Sequence, residues 1–548
     1  MADIVERYPA GSSTANYTGN DLTDVQTHSG AASGDVIKVS QDITVSTTIG
    51  NGATSGYSVG SFTLQGASSE NPVTISGGTR LYNLPNTVTS FTLKDVTISG
   101  FVNSNSTGGA IRVNGPITIN LENVTFQNNK ENQHHAGAIS RDNSSDLVKI
   151  VGDNLTFDGN QAAYDAGAVR AYFSISGKNE NSVITFKNNT SNSGAVCSLG
   201  TESVFSTGTF KFFNNTGRRS SGAIYVVNSL TFSGDDTVAI FEGNKGVNGN
   251  DIFLQSQGST TKLTFKDAGK YSFDGGIHLN NANQNIIIDK AQVTIAGREN
   301  DTTNNYVLRS VTISNGGKLT AKLDYIDKIG NTTITLNGTE SQVELYNALL
   351  NQVASIKSNT GVGTFDLEYS AANGAVQNES LLISSGHIDV KGYMEAAIKV
   401  GSDATFSPGN SVGRVVTTED FTLDGTLLIE VDKTGADTLT CDTFTMNGGT
   451  VVLDWQNDEI PFFATCNIIT STSDLSDVYD NLLENLDFST SPTVQQLYDD
   501  GYISLALAGA NNNIITMSID RNAVPEPSTW ALLALGVVVL FLRKRVRN

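Results

Sequence analysis

From about residue 34 to about 455 the chain is written in short runs where an apolar residue alternates with Ser, Thr, Asn or Lys. Examples are Val73-Thr74-Ile75-Ser76, Val96-Thr97-Ile98-Ser99, Leu263-Thr264-Phe265, Val293-Thr294-Ile295, Val311-Thr312-Ile313 and Thr333-Ile334-Thr335-Leu336. A period of two sends successive side chains to opposite faces of an extended chain, so each run predicts a half-buried strand. Gly, Asn and Ser fill the gaps between runs as turn formers. A helical reading fails, because the 3.6-residue period is absent and Gly and Asn are dense.

Within this background two motifs recur at one period. Phe-x-x-Asn occurs as Phe126 and Asn129, Phe157 and Asn160, Phe186 and Asn189, Phe212 and Asn215, and Phe241 and Asn244. A Gly-Ala element accompanies it at Gly109-Ala110, Gly137-Ala138, Gly167-Ala168, Gly194-Ala195 and Gly222-Ala223, and the Gly positions step by 28, 30, 27 and 28 residues. Such repetition marks stacked structural units. If the units are coils of a parallel β-helix, equivalent residues lie about 4.8 Å apart. The Phe residues then form an inward aromatic column, and the Asn residues sit at a turn with left-handed φ, each amide bonding the next. Ala takes a small outward position, and the residue after it (Ile111, Ile139, Val169, Val196, Ile224) points inward.

The pair Phe-x-x-Asn and Gly108-Gly109-Ala110-Ile111 resembles the polymorphic outer-membrane protein repeats of autotransporter-type adhesins, over residues 101 to 254. That resemblance implies a right-handed β-helix exposed at the cell surface. Further on, Ser407-Pro408-Gly409-Asn410-Ser411 followed by Phe421 to Leu427 resembles the passenger-associated β-strand repeat of autotransporters, but no membrane β-barrel segment follows it. Between Asp474 and Gly501 the period changes: Leu475, Val478, Leu482, Leu483 and Leu486 recur at helical spacing among Asp477, Asp480, Glu484 and Asp487. A helix there would cover the open last coil, whose free edge invites aggregation. The expected architecture is all-β: an N-terminal segment 1–33, a right-handed parallel β-helix over 34–460, a partly helical cap over 461–520 and a tail over 521–548.

The tail carries the most specific signal. Pro525-Glu526-Pro527 precedes an uncharged run from Trp530 through Leu532, Leu533, Leu535, Val537, Val538, Val539, Leu540, Phe541 and Leu542, and Arg543, Lys544, Arg545 and Arg547 end the chain. As a helix the run is about 20 Å long, against a hydrocarbon core of about 30 Å, so spanning needs flanking residues and snorkelling. The basic cluster stays cytoplasmic and places the rest outside. These three ordered elements resemble the PEP-CTERM sorting signal. That resemblance implies recognition by an exosortase, cleavage near Pro-Glu-Pro, and delivery to the envelope or an extracellular matrix. Met1 to Glu6 has neither a basic start nor an apolar run, so a secretory signal is expected upstream of Met1.

Charge narrows the partners. The chain has 34 Lys and Arg against 55 Asp and Glu, a net charge of −21, which repels phosphate backbones and argues against nucleic acid. Three cysteines, Cys197, Cys441 and Cys466, do not make a disulfide framework. Buried free thiols are the expected state, and a Cys441–Cys466 bridge is the alternative.

Enzyme sites find little support. Asp158 and Glu242 share a motif position but lie three coils apart, about 14 Å, too far for a glycosidase pair. Arg112 and Arg170 flank Ser140 on neighbouring coils without the clustered Asp that a calcium-dependent lyase needs. His134-His135 lacks a third metal ligand. No catalytic residue, metal site or cofactor is therefore expected. The expected function is a surface or matrix protein with a structural or adhesive role. Its partners are an exosortase, the membrane through the C-terminal helix, and extracellular polysaccharide or another surface component. The alternative is a β-helical polysaccharide lyase or hydrolase.

Overall fold

The computed structural model describes residues 4–520 apart from 28–31, 50–59, 105–107, 256–260, 281–282, 297–309, 323–331, 338–341, 347–352, 361–363, 369–378, 395, 409–411, 433–434, 456–464 and 489–491. The described chain is an all-β solenoid with few helices, divided into two compact units, Met1–Gly363 and Thr364–Asn548.

In the first unit strands of successive coils pair in parallel and in register. Ile117–Gln127 lies between Ser90–Ser99 and Leu147–Asp158, with Phe126 opposite Ile98 on one side and Phe157 on the other. These long strands bend at Asp95, Asn123 and Asn154, whose φ values are 56°, 52° and 48°. Asn154 donates to the Asn123 amide oxygen (2.8 Å), and Asn123 donates to the Asp95 carboxylate (3.1 Å). The coils between Val102 and Gly217 then cross a short second sheet, as in Lys130–Glu131 and Gln161–Ala162. They return through a third, as in Ile139–Ser140, Val169–Gly177 and Val196–Ser198. Alternation sets the core: Phe126, Phe157, Phe186 and Phe212 are 0% exposed.

The first strand, Val5–Tyr8, runs antiparallel to both Tyr17–Gly19 and Asp35–Val39. Helix Leu22–Thr27 buries Leu22 and Val25, and Tyr82 donates to Gln26 Oε1 (2.8 Å). Arg7 and Asp35, 2% and 3% exposed, form a 3.9 Å ion pair inside this assembly.

The second unit, taken by itself, also stacks its strands in parallel. Phe421–Leu423 pairs with Phe444–Met446, Thr426–Val431 with Thr450–Trp455, and Thr438–Cys441 with Thr465–Ser471. The direction then changes: Ile514–Ile519 is antiparallel to Thr465–Ser471 and to Ile503–Ala508. Two helices, Ser476–Glu484 and Pro492–Asp499, occupy the segment with helical spacing. Leu475 and Leu482 are buried, while Asp477, Asp480 and Glu484 face solvent. Cys197, Cys441 and Cys466 are all free. The alternative pairing of Cys441 with Cys466 is thereby set aside: Cys441 stands opposite Ser471, and Cys466 pairs in register with Met517.

Candidate functional site

The repeat residues make two parallel columns. Phe126, Phe157, Phe186, Phe212 and Phe241 stack with centroids 5.1, 4.9, 4.9 and 4.5 Å apart and planes within 9°. Phe273 extends the column at 4.5 Å, outside the Phe-x-x-Asn motif. One turn away, Asn129, Asn160, Asn189, Asn215 and Asn244 are 0% exposed. Each Nδ2 donates to the Oδ1 of the next coil's Asn, at 2.9, 3.0, 3.0 and 2.9 Å. From Asn160 on, that same nitrogen donates to the carbonyl of the preceding coil's Phe, as Asn189 does to Phe157 (3.0 Å) and Asn215 to Phe186 (2.9 Å), while Asn129 donates to Ile98 (2.9 Å). The row ends where Asn244 donates to the buried Asp251 carboxylate (2.9 Å). The amide-to-amide bonds of the row all point the same way, toward that carboxylate, which lets them polarise one another.

Two details differ from the sequence reading. Left-handed φ falls one residue earlier than the ladder Asn, at Asn128 (54°), Gly159 (66°), Asn188 (56°), Asn214 (53°) and Gly243 (69°). The ladder Asn itself has to aim its amide along the stack. Ala110, Ala138, Ala168, Ala195 and Ala223 are buried, not outward. Backbones of successive coils approach closely there: a Cβ on Gly109 would lie 1.7 Å from the Gly137 carbonyl oxygen.

The residue after the inward Ile or Val forms an outer column in register: Arg112, Ser140, Arg170, Cys197, Tyr225, Phe253 and His278. At one end it is ionic. Asp142 pairs with Arg112 (3.7 Å) and Arg170 (2.8 Å), and Asp165 pairs with Arg170 (3.3 Å) and His135 (3.0 Å). Arg141 pairs with Asp146. Burial works against the Asp165 carboxylate, but hydrogen bonds from His135 and Ser193 and the charges of His135 and Arg170 hold it below the usual carboxylate range. Arg80, 6% exposed, donates to the Gly108 carbonyl (2.8 Å), and burial together with Arg112 brings it down to about 10. Further along the column is apolar: Cys197, Tyr225 and Phe253 cluster with Ala166. Burial raises the Cys197 thiol far above its ordinary value, which makes it inert. This column was legible, one place after each Gly-Ala-Ile or Gly-Ala-Val, but its mixed chemistry hides it.

Asp158 and Glu242 stay apart; Asp158 pairs instead with Lys187 (3.3 Å). Among the described residues no three His, Cys, Asp or Glu are grouped to hold a metal ion.

These features define a stacked β-solenoid whose repeat residues serve the stack itself. Residues 523–545 match the family model of the PEP-CTERM protein-sorting motif. Pro525, Glu526, Pro527, the apolar run Trp530 to Leu542 and Arg543 to Arg545 lie inside that match, and all of them lie outside the described residues. The motif implies an exported protein, sorted to the cell envelope by an exosortase. Among the described residues no helix is long and apolar enough to cross a membrane. No curated protein and no solved structure matches the chain.

Proposed function

We propose that this chain is a non-enzymatic structural protein of the cell surface or its surrounding matrix, a right-handed β-helix delivered by its sorting tail. Strand crossovers between parallel neighbours are right-handed in nearly all proteins, which supports that hand. The observation that carries the reading is a sorting motif at 523–545 joined to coils whose buried amides are used up by one another. The arginines nearest to a lyase arrangement, Arg112 and Arg170, are bound to Asp142 and Asp165, which favours a scaffold over an active groove. The likeness of the repeats to adhesin passengers supports exposure at the surface. The apolar run Trp530 to Leu542 holds the chain in the membrane until the exosortase acts near Pro525-Glu526-Pro527.

Fractionation of the native host tests this. Surface-extracted wild-type protein should yield no peptide containing Trp530 to Leu542. The Pro525→Ala/Pro527→Ala variant should keep its tail and accumulate in the inner membrane. Surface delivery of that variant at the wild-type level, or an intact tail on most mature molecules, overturns the proposal.

A further inference from the structure

One corner of the first unit carries charge opposite in sign to the chain as a whole. Each coil turns there just after its short second strand. Tyr164 N donates to the His134 carbonyl (3.0 Å), Asn192 N to Tyr164 (2.7 Å) and Arg219 N to Asn192 (2.9 Å), so these four residues stand one coil apart. On the following coil Val247 N donates to Ser220 (2.8 Å). Tyr164 is 50% exposed, with its ring centroid 5.6 Å from His135, and Val247 is 56% exposed. Lys130, Arg218, Arg219 and Lys245 are exposed on the same side, and none of the four makes an ion pair among the described residues. The turn segments 128–135, 159–166, 188–193, 214–221 and 243–250 hold only two carboxylates. Glu131 is 1% exposed, and Asp165 is already engaged by His135, Arg170 and Ser193. In a chain of net charge −21, four unpaired cations on one side are a deliberate surface.

We infer that this corner binds an acidic polysaccharide, laid along the stacking direction across His134, Tyr164, Asn192 and Arg219. The inference rests on the surface-scaffold reading above and names its partner class. Charge complementarity supplies the attraction: guanidinium groups bind carboxylates in a bidentate fork. The exposed Tyr164 ring offers a flat apolar face against a sugar ring, and the Asn192 amide offers both a donor and an acceptor for hydroxyls. Coils repeat about every 4.8 Å, close to the length of one pyranose unit, so successive sugars meet successive coils. A phosphate backbone lacks that commensurate, hydroxyl-bearing ring face, and the remaining acidic surface repels a rod as wide as duplex DNA.

Affinity electrophoresis at about 0.1 M salt, where repulsion beyond about 10 Å is screened, tests the inference. Wild-type protein should be retarded by polygalacturonate and not by neutral dextran. Arg218→Glu/Arg219→Glu should weaken retardation about tenfold or more, and Tyr164→Ala by a smaller factor, with thermal unfolding unchanged. Lys262→Glu/Lys270→Glu makes the same charge change elsewhere on the solenoid and should bind as wild type does. Equal loss in that control, or equal retardation by double-stranded DNA, overturns the inference because net charge alone then governs. A folded, correctly sorted protein that ignores polygalacturonate also overturns it and leaves the scaffold reading intact. Failed sorting with intact polygalacturonate binding does the reverse.

Discussion

The coils from Ile117 to Leu254 and those from Lys262 to Lys322 use the same parallel ladders but hold their interiors differently. In the first region Phe stacks on Phe and a buried amide row runs beside it. In the second, Leu263, Ile286 and Val311 make one column and Phe265, Ile288 and Ile313 another, all at or below 3% exposed. No ladder Asn is present there among the described residues. In the repeat-Phe position stand Phe273 and then Ile295, and Gly276 takes the place of the ladder Asn after Phe273. In the first region the turns after Phe126, Phe157, Phe186 and Phe212 carry the Phe carbonyl inward. A buried carbonyl needs a partner, and the ladder Asn is that partner. Alternation alone is enough to stack coils; the conspicuous motif adds a partner for the carbonyl that each repeat turn buries.

Removing one ring is the strongest way to break this difference. Phe186→Ala should cost about 3 to 5 kcal/mol, because neighbouring coils hold the cavity open. Hydrogen exchange should quicken in Val183–Lys187 and the paired Thr209–Phe213, and stay near wild type in Ser310–Ser314. Lys187→Ala, next to it but outward and paired only with Asp158 at the surface, should change stability by less than about 1 kcal/mol. Equal effects would mean the inward column does not carry the stack.

The amide row gives a finer test. Asn189→Ala leaves the Asn160 N–H and amide without the acceptor that they share at 3.0 Å. The expected cost is about 2 to 3 kcal/mol by chemical denaturation. Ile288→Val, in the region without a row, should cost about 1 kcal/mol. A smaller loss at Asn189 than at Ile288 would reduce the row to decoration.

Two carboxylates sharpen the contrast between the units by responding to pH in opposite directions. Asp165 is held low, so the stability it gives is present above its unfolded pKa and is lost as pH falls through the lower folded value. Asp437, 0% exposed, accepts from Gly413 N (2.6 Å) and Glu430 N (2.9 Å). Burial nevertheless pushes it up to about 8, with the Glu430 charge adding to the rise. Its contribution is therefore complete below the unfolded pKa of about 4 and lost as pH rises through about 8. Exchange measured across pH should show acid weakening around Asp165 and alkaline weakening around Asp437, and Asp437→Asn should flatten the second profile. An unchanged profile in that variant would assign the effect elsewhere.

Period-two alternation made the solenoid readable, and Phe186 and Asn189 could be placed because their motif repeats. The N-terminal assembly was not readable. Arg7 looks like a surface residue in Val5-Glu6-Arg7-Tyr8, and its burial depends on Asp35 and an antiparallel pairing that no local pattern announces. The outer column was hidden for a related reason: Arg170, Cys197 and Tyr225 share one structural position but no chemistry. The basic corner is invisible in a net charge of −21, since only stacking brings Lys130, Arg218 and Lys245 to one side.

The amide row also bears on how such a gene changes length. Asn160 receives from Asn129 the same two hydrogen bonds that it presents to Asn189, so each coil offers its successor the surface it accepted from its predecessor. An in-frame duplication or loss of one such coil leaves both new neighbours with complementary partners, and the Phe column closes over the join. Unequal recombination within this stretch would lengthen or shorten the protein in whole coils while the amide row and the Phe column stay continuous across the join.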